Sequence, residues 1–176
     1  FNIKLDPCYY DKEGCNGSPQ HLSFRQNITN GVGADWTIVD GLKFRFIGSD
    51  SAIAFHRSSH CSVRNCVLDT VAHNGITMNG PTGDSVVGNL LLFVDQYGIR
   101  RYQEFEEGSS DMLIADNIVL GDAGLDRGTD HGGEVSGIQI VFPHSNHIVR
   151  GNIFGYGLTL DIYIENGWED LVENNI

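Results

Sequence analysis

An Asn, once a Gly, followed by an apolar residue recurs about every 24 residues along this chain. The marks are Gly41-Leu42, Asn65-Cys66, Asn89-Leu90, Asn117-Ile118, Asn152-Ile153 and Asn174, spaced 24, 24, 28, 35 and 22 apart. A second series keeps step with it: Ala52-Ile53, Gly75-Ile76, Gly98-Ile99, Gly137-Ile138 and Asp161-Ile162, spaced 23, 23, 39 and 24. Two registers in phase over five units are the signature of a stacked architecture in which each unit buries its apolar face against the next.

The unit is made of strands. Ile53-Ala54-Phe55, Ile76-Thr77-Met78, Ile138-Gln139-Ile140 and Asp161-Ile162-Tyr163-Ile164 alternate apolar with polar or small residues, which is strand period. No run of eleven residues holds a helical apolar pattern free of Gly or Asn, and the fixed leucines of a leucine-rich repeat are missing. The reading is an all-β chain: a right-handed parallel β-helix, a solenoid with coils of about 24 residues, over residues 36–176. Residues 1–35 form an N-terminal segment. Asn tolerates left-handed backbone and bonds its own main chain, so it suits the turns between strands. Coils repeat at about 4.8 Å, which predicts a ladder of Asn side chains inside the turn. It also predicts a core stack of their apolar partners Leu42, Cys66, Leu90, Ile118 and Ile153. The chain starts at Phe1 and stops at Ile176, just after an Asn mark, and reads as a processed product or a piece of a longer solenoid.

Charge narrows the partners. Net charge is −12 with 3 Lys and 8 Arg, which opposes nucleic acid, since phosphate neutralisation needs a basic surface. A neutral glycan meets no such barrier. No apolar run approaches 18 residues, so no membrane span is expected. Cys8 and Cys15 flank a short polar loop and could close a disulfide; Cys66 reads as a small core residue, and Cys61 is open. No CxxC pair suggests zinc. The sequons at Asn16 and Asn27 favour an extracellular or periplasmic location.

If Ile53, Ile76, Ile99, Ile138 and Ile162 point inward, two outward rows follow. One is Ala54, Thr77, Arg100, Gln139 and Tyr163; the other is His56, Asn79, Tyr102, Val141 and Glu165. They form a polar and aromatic stripe suited to an extended sugar chain. Two insertions lie between Ile99 and Ile138, and long loops on a repetitive scaffold tend to carry function. Tyr102–Asp111 holds Glu104, Glu106 and Glu107, while Gly121–Glu134 carries Asp122, Asp126, Asp130 and Glu134 four residues apart. No cofactor is required by these patterns. A Ca²⁺ site at Asp122 and Asp126 is permitted, but it needs carboxylates that converge on one point. Glu165, with Tyr163 before it and Trp168 after it, is the sharpest single candidate. A carboxylate beside aromatic faces suits a glycosidase, the acid protonating the leaving oxygen while the ring stacks on sugar. Trp168 also reads as a cap over the last core layer. The remaining histidines, including His144 and His147, fall at turns and read as surface hydrogen-bonding residues.

The Gly-Ile and Asn-Ile marks over 37–176 resemble the pectate-lyase-like β-helix superfamily of carbohydrate-active proteins. The last third is similar to β-helical glycosidases of the β-xylosidase and α-fucosidase type, through Gly137-Ile138-Gln139-Ile140-Val141, Asp161-Ile162-Tyr163-Ile164-Glu165-Asn166-Gly167 and Asn174-Asn175-Ile176. The resemblance implies a polysaccharide or oligosaccharide partner and a catalytic role for Glu165. The family's first carboxylate falls at Val141, so either the acidic loop brings in a second acid, Asp130 or Glu134, or the mechanism differs, or the site is inactive. Glycoside hydrolysis is the preferred expectation, with Glu165, Asp130 and Glu134 as acids and Arg100, Tyr102, Gln139, Tyr163, Trp168, His56 and Asn79 lining the site. A uronate-directed lyase or epimerase using Arg100 or Arg101 is the alternative, and a non-catalytic glycan-binding or structural β-helix is the third reading.

Overall fold

The computed structural model describes residues 3–6, 21–25, 35–47, 51–56, 58–71, 73–79, 82–102, 109–121, 135–141, 144–156 and 158–176. Among them there is no helix, and hence none able to cross a membrane. Strands form sheets of seven, six, five and three members.

One coil shows how the sequence does this. Ser62–Arg64 lies in the six-stranded sheet with Val63 buried in the core. The chain turns at Asn65, whose φ is 53°, and enters the five-stranded sheet as Val67–Val71 with Leu68 inward. Asn74–Asn79 crosses the seven-stranded long sheet, and Gly83, at φ 68°, returns the chain to Ser85–Val87 beside Ser62–Arg64. Each strand is too short to stand alone; pairing with the coil above and below supplies its hydrogen bonds. Later coils add a short fourth side, in which Ser109–Ser110, His144–Ser145 and Gly167–Trp168 pair in parallel. The solenoid inferred from the repeat is therefore present, with Val, Leu and Ile from three sheets filling its interior.

The antiparallel exception sits at the start. Ile3–Asp6 pairs antiparallel with His21–Arg25, which in turn lies parallel to Ser51–His56. Strands from the 1–35 segment thus extend the long sheet. Cys8, Cys15 and the two sequons lie outside the described residues. Cys61 and Cys66 are both buried free thiols, and burial pushes the Cys61 thiol up to about 11, which keeps it protonated and inert.

The Asn ladder exists, but it is not the series of marks read from the sequence. Two kinds of residue are interleaved there. Gly41, Asn65, Gly88, Asp116, Gly151 and Asn174 occupy the turn with φ between 53° and 69°. The residues immediately after the last four form the ladder: Asn89, Asn117, Asn152 and Asn175, with Cys66 in the equivalent place one coil earlier. Asn117 Oδ1 accepts from both the backbone N–H and Nδ2 of Asn89, at 3.0 and 2.9 Å. Asn152 Oδ1 does the same for Asn117, and Asn175 Oδ1 for Asn152. Cys66 N–H joins the end of the chain by donating to Asn89 Oδ1 at 2.9 Å.

That one-residue difference overturns the expected core stack. Leu42, Ile118 and Ile153 are 44%, 37% and 43% exposed. The buried column is one residue on from Leu90, Ile118 and Ile153: Leu91 and Val119, with Phe154 partly buried, and in register with them Leu68, two residues after Cys66. In a strand of period two, a shift of one residue moves a whole column to the other face. Only Cys66 of the expected stack is buried, and it sits in the ladder position.

The Gly-Ile mark also has a physical reason. A Cβ on Gly75 would meet Leu91 Cδ2 at 2.5 Å and the Gly98 carbonyl; one on Gly98 would meet the Gly137 carbonyl at 2.5 Å and Val119 Cγ1; one on Gly137 would meet the Asp161 carbonyl at 2.6 Å and the Phe154 ring. These positions face the core, and so do Ile76, Ile99 and Ile138 directly after them. Two consecutive inward residues break the strand's alternation, and glycine allows it because the inner side of this corner has no room for a side chain.

Candidate glycan-binding face

Because of that break, the long sheet presents three outward columns, not two. Register pairs Ala54, Thr77, Arg100, Gln139 and Tyr163 in one column, as expected. His56, Asn79 and Tyr102 begin the second, and Glu165 N–H donates to Ile140 O at 2.9 Å, which places Glu165 next to Val141. The third column, Ser51, Asn74, Tyr97 and Ser136, is not visible under strict alternation from the isoleucines. The contacts put it on the same side: Ser51 Oγ and Thr77 Oγ1 are 2.8 Å apart, and Arg100 packs on Tyr97. The signal in the sequence was the Gly before Ile76, Ile99 and Ile138.

The face changes character along the axis. At its first coils, Ser51, Asn74, Thr77 and Asn79 are buried, and Asn79 Nδ2 donates to His56 Nδ1 at 3.4 Å. In the middle, the Arg100 guanidinium lies 4.7 Å from the Tyr97 ring centre and 4.3 Å from that of Tyr102, while its Nε–H donates to Gln139 Oε1 at 2.9 Å. A guanidinium held between two aromatic faces and an amide is fixed in orientation. In the last described coil, Tyr163 continues this face and Trp168 stands on the adjoining short fourth side. Tyr163 O–H donates to Glu165 Oε2 at 2.8 Å, and Asn166 Nδ2 to Glu165 Oε1 at 3.4 Å. Trp168 itself belongs to the short fourth side, paired with Ser145 of the preceding coil.

Arg101 cannot serve as a base on this face. Its side chain is fully buried inside the solenoid, where Nη1 donates to the Val141 carbonyl at 2.5 Å. It occupies the inward column that Phe55, Met78 and Ile140 fill with apolar groups. Burial lowers its pKa to about 10, still far above neutrality. His144 and His147 are likewise interior residues, not surface ones, each 1% exposed. Asp122, Asp126, Asp130 and Glu134 lie outside the described residues, as do Glu104, Glu106 and Glu107. Among the described residues, no three His, Cys, Asp or Glu side chains are grouped to hold a metal ion.

Fold and face together define a parallel β-solenoid with one broad polar and aromatic side. No protein-family model matches the chain, and no curated protein sequence does either. Among solved structures, the chain is similar in fold to a double mutant of the tailspike protein of E. coli bacteriophage HK620 in complex with a pentasaccharide, at 13% identity and a TM-score of 0.47. The match covers 80% of this chain and 33% of that one, so the chain spans about a third of the tailspike's length.

Proposed function

We propose that the protein binds an extended oligo- or polysaccharide along the outward face of the long sheet. The observation that carries this is the Tyr97–Arg100–Tyr102 sandwich bonded to Gln139, in register with Tyr163 and Glu165 two coils on. Coils repeat at about 4.8 Å, so Arg100 and Tyr163 stand about 10 Å apart along the axis. Fixed donors and exposed rings arranged along a line suit a polymer of hydroxyl-rich rings, which offers polar edges and apolar faces in alternation.

Hydrolysis at Glu165 is a second reading, favoured by its exposed carboxylate held by Tyr163. Glu165 would protonate the glycosidic oxygen, and a second carboxylate about 5 Å away for retention, or about 6.5–9.5 Å for inversion, would complete the chemistry. The neighbouring row position holds Val141, so this reading needs its partner from the acidic loop, at Asp130 or Glu134. The lyase reading is weaker, with Arg101 buried and Arg100 Nε engaged by Gln139.

Arg100→Ala is expected to weaken glycan affinity by about tenfold or more, the cost of an aromatic-packed, charge-bearing donor, in titrations against a polysaccharide panel. Glu165→Gln should leave affinity within about threefold. If the wild type releases reducing ends, the same substitution should slow that release by about 10²–10⁴. Wild-type binding that Arg100→Ala leaves unchanged would place the glycan elsewhere; binding with no reducing ends leaves a pure binding face.

A further inference from the structure

A second interior column is built like the Asn ladder, but four of its six positions carry groups that titrate: Cys61, Asp84, His147 and Asp170. Thr37, Cys61, Asp84, Met112, His147 and Asp170 each follow a residue of positive φ: Trp36, His60, Gly83, Asp111, Asn146 and Glu169. Here too a side-chain acceptor of one coil takes a backbone N–H of the coil before. Cys61 N–H donates to Asp84 Oδ1 at 2.6 Å, Met112 N–H to His147 Nδ1 at 3.2 Å, and His147 N–H to Asp170 Oδ1 at 2.9 Å.

In the Asn ladder the second side-chain atom is an amide nitrogen that donates to carbonyls, as Asn89 Nδ2 does to Val63 O at 3.0 Å. At Asp84 that place belongs to Oδ2, a buried oxygen with no hydrogen-bond partner. Among the described residues, the groups facing this carboxyl are the Cys61 backbone N–H, the Cys61 thiol and the Asp35 carboxylate, with no cation among them. A charged carboxylate cannot be satisfied there. His147 shows the opposite need. Its Nδ1 accepts a hydrogen bond, its ring stacks on His144 at 4.8 Å and 3°, and Arg101, Asp111 and Asp170 complete the charged groups around it. His144 Nε2 lies 2.8 Å from Asp170 Oδ2. Protonation at His147 Nδ1 would break the Met112 bond beside a buried guanidinium.

We propose that this column is proton-operated: Asp84 packs as a neutral acid and His147 packs as a neutral imidazole, so the coils around them loosen in opposite pH directions. Burial pushes Asp84 up to about 7, and desolvation, followed by the His144 charge, brings His147 down to about 4. Asp84 is thus raised above its unfolded value of about 3.9, so its contribution is complete below that pH and is lost as pH rises to about 7. His147 is depressed below about 6.5, so its contribution is complete above that pH and is lost as pH falls towards 4. Because the two slopes oppose each other, they largely cancel in global stability while acting on different coils. The acid-sensitive corner adjoins Gly167–Trp168 on the short fourth side, where Gly167 pairs with His144.

Amide exchange of the intact protein between pH 4 and 7.5, corrected for intrinsic rates, tests this at two reporters. Protection of the Cys61 N–H is expected to fall by up to about tenfold per pH unit as pH rises, and that of Met112 to rise at a similar slope. Asp84→Asn should abolish the first trend and keep the second; His147→Asn, which retains an acceptor, should do the reverse. The Asp84 carboxyl-carbon shift in the unmutated protein gives an independent reading, with a midpoint near 7 expected. A midpoint near 4 overturns the Asp84 half whatever the variants do, and an unchanged Met112 slope in His147→Asn overturns the other.

Discussion

Asn117→Ala is expected to lower the unfolding free energy by about 3–5 kcal/mol, a large part of the 5–15 typical of a domain. Asn117 is fully buried and holds the ladder on both sides. Without its side chain, the Asn89 backbone N–H and the Val86 carbonyl lose partners at 3.0 and 2.9 Å, and Asn152 Oδ1 loses one of its two donors. Each buried orphan costs about 1–3 kcal/mol. The contrast that makes this sharp is Asn65→Gly. Asn65 is a turn residue at φ 53°, a conformation glycine adopts freely. It makes an exposed bond to Asp40 at 2.9 Å, so the substitution should change stability by no more than about 0.5 kcal/mol. Chemical denaturation of both variants decides the matter; equal losses would mean the two kinds of Asn do the same work and the ladder assignment is wrong.

Gly98→Ala is expected to be of similar size, about 2–4 kcal/mol, by overpacking. The new Cβ would stand 2.5 Å from the Gly137 carbonyl and against Val119, one a backbone atom and the other a fully buried core residue. Relief requires the coil spacing to widen at this corner, which strains the parallel pairing of Tyr97–Tyr102 with Ser136–Ile140. The loss should appear in thermal and denaturant unfolding, with reduced amide protection along both strands. Ala52 holds the equivalent position one end along and is fully buried, so the slot there accepts a methyl. Gly98→Ala with wild-type stability would show that the middle coils are equally accommodating.

How much of this was legible in advance differs from feature to feature. The coil length, the parallel solenoid and two of the three outward columns followed from spacing alone, because stacking forces equivalent residues into line. The register of Arg100, Gln139 and Tyr163 in one outward column followed for the same reason. Trp168 was located near Glu165, but its exposure depends on the fourth side of the later coils, which no repeat announced. Arg101 looked like a partner of Arg100 because they are adjacent. Adjacency in a strand puts neighbours on opposite faces, and here it carried a guanidinium into the interior.

The sequence by itself determined the periodic part of this protein, since a repeat states which residues must be equivalent in every coil. It did not determine phase. Asn65 and Asn89 look alike in the chain, yet one is a left-handed turn and the other a buried ladder residue, and only the closed coil distinguishes them. The same holds for the residues before Ile76, Ile99 and Ile138, where a corner without room for Cβ turns two successive positions inward. Tertiary structure decided phase because inward and outward are properties of the closed coil. A single strand has two faces but no interior until the other sheets pack against one of them.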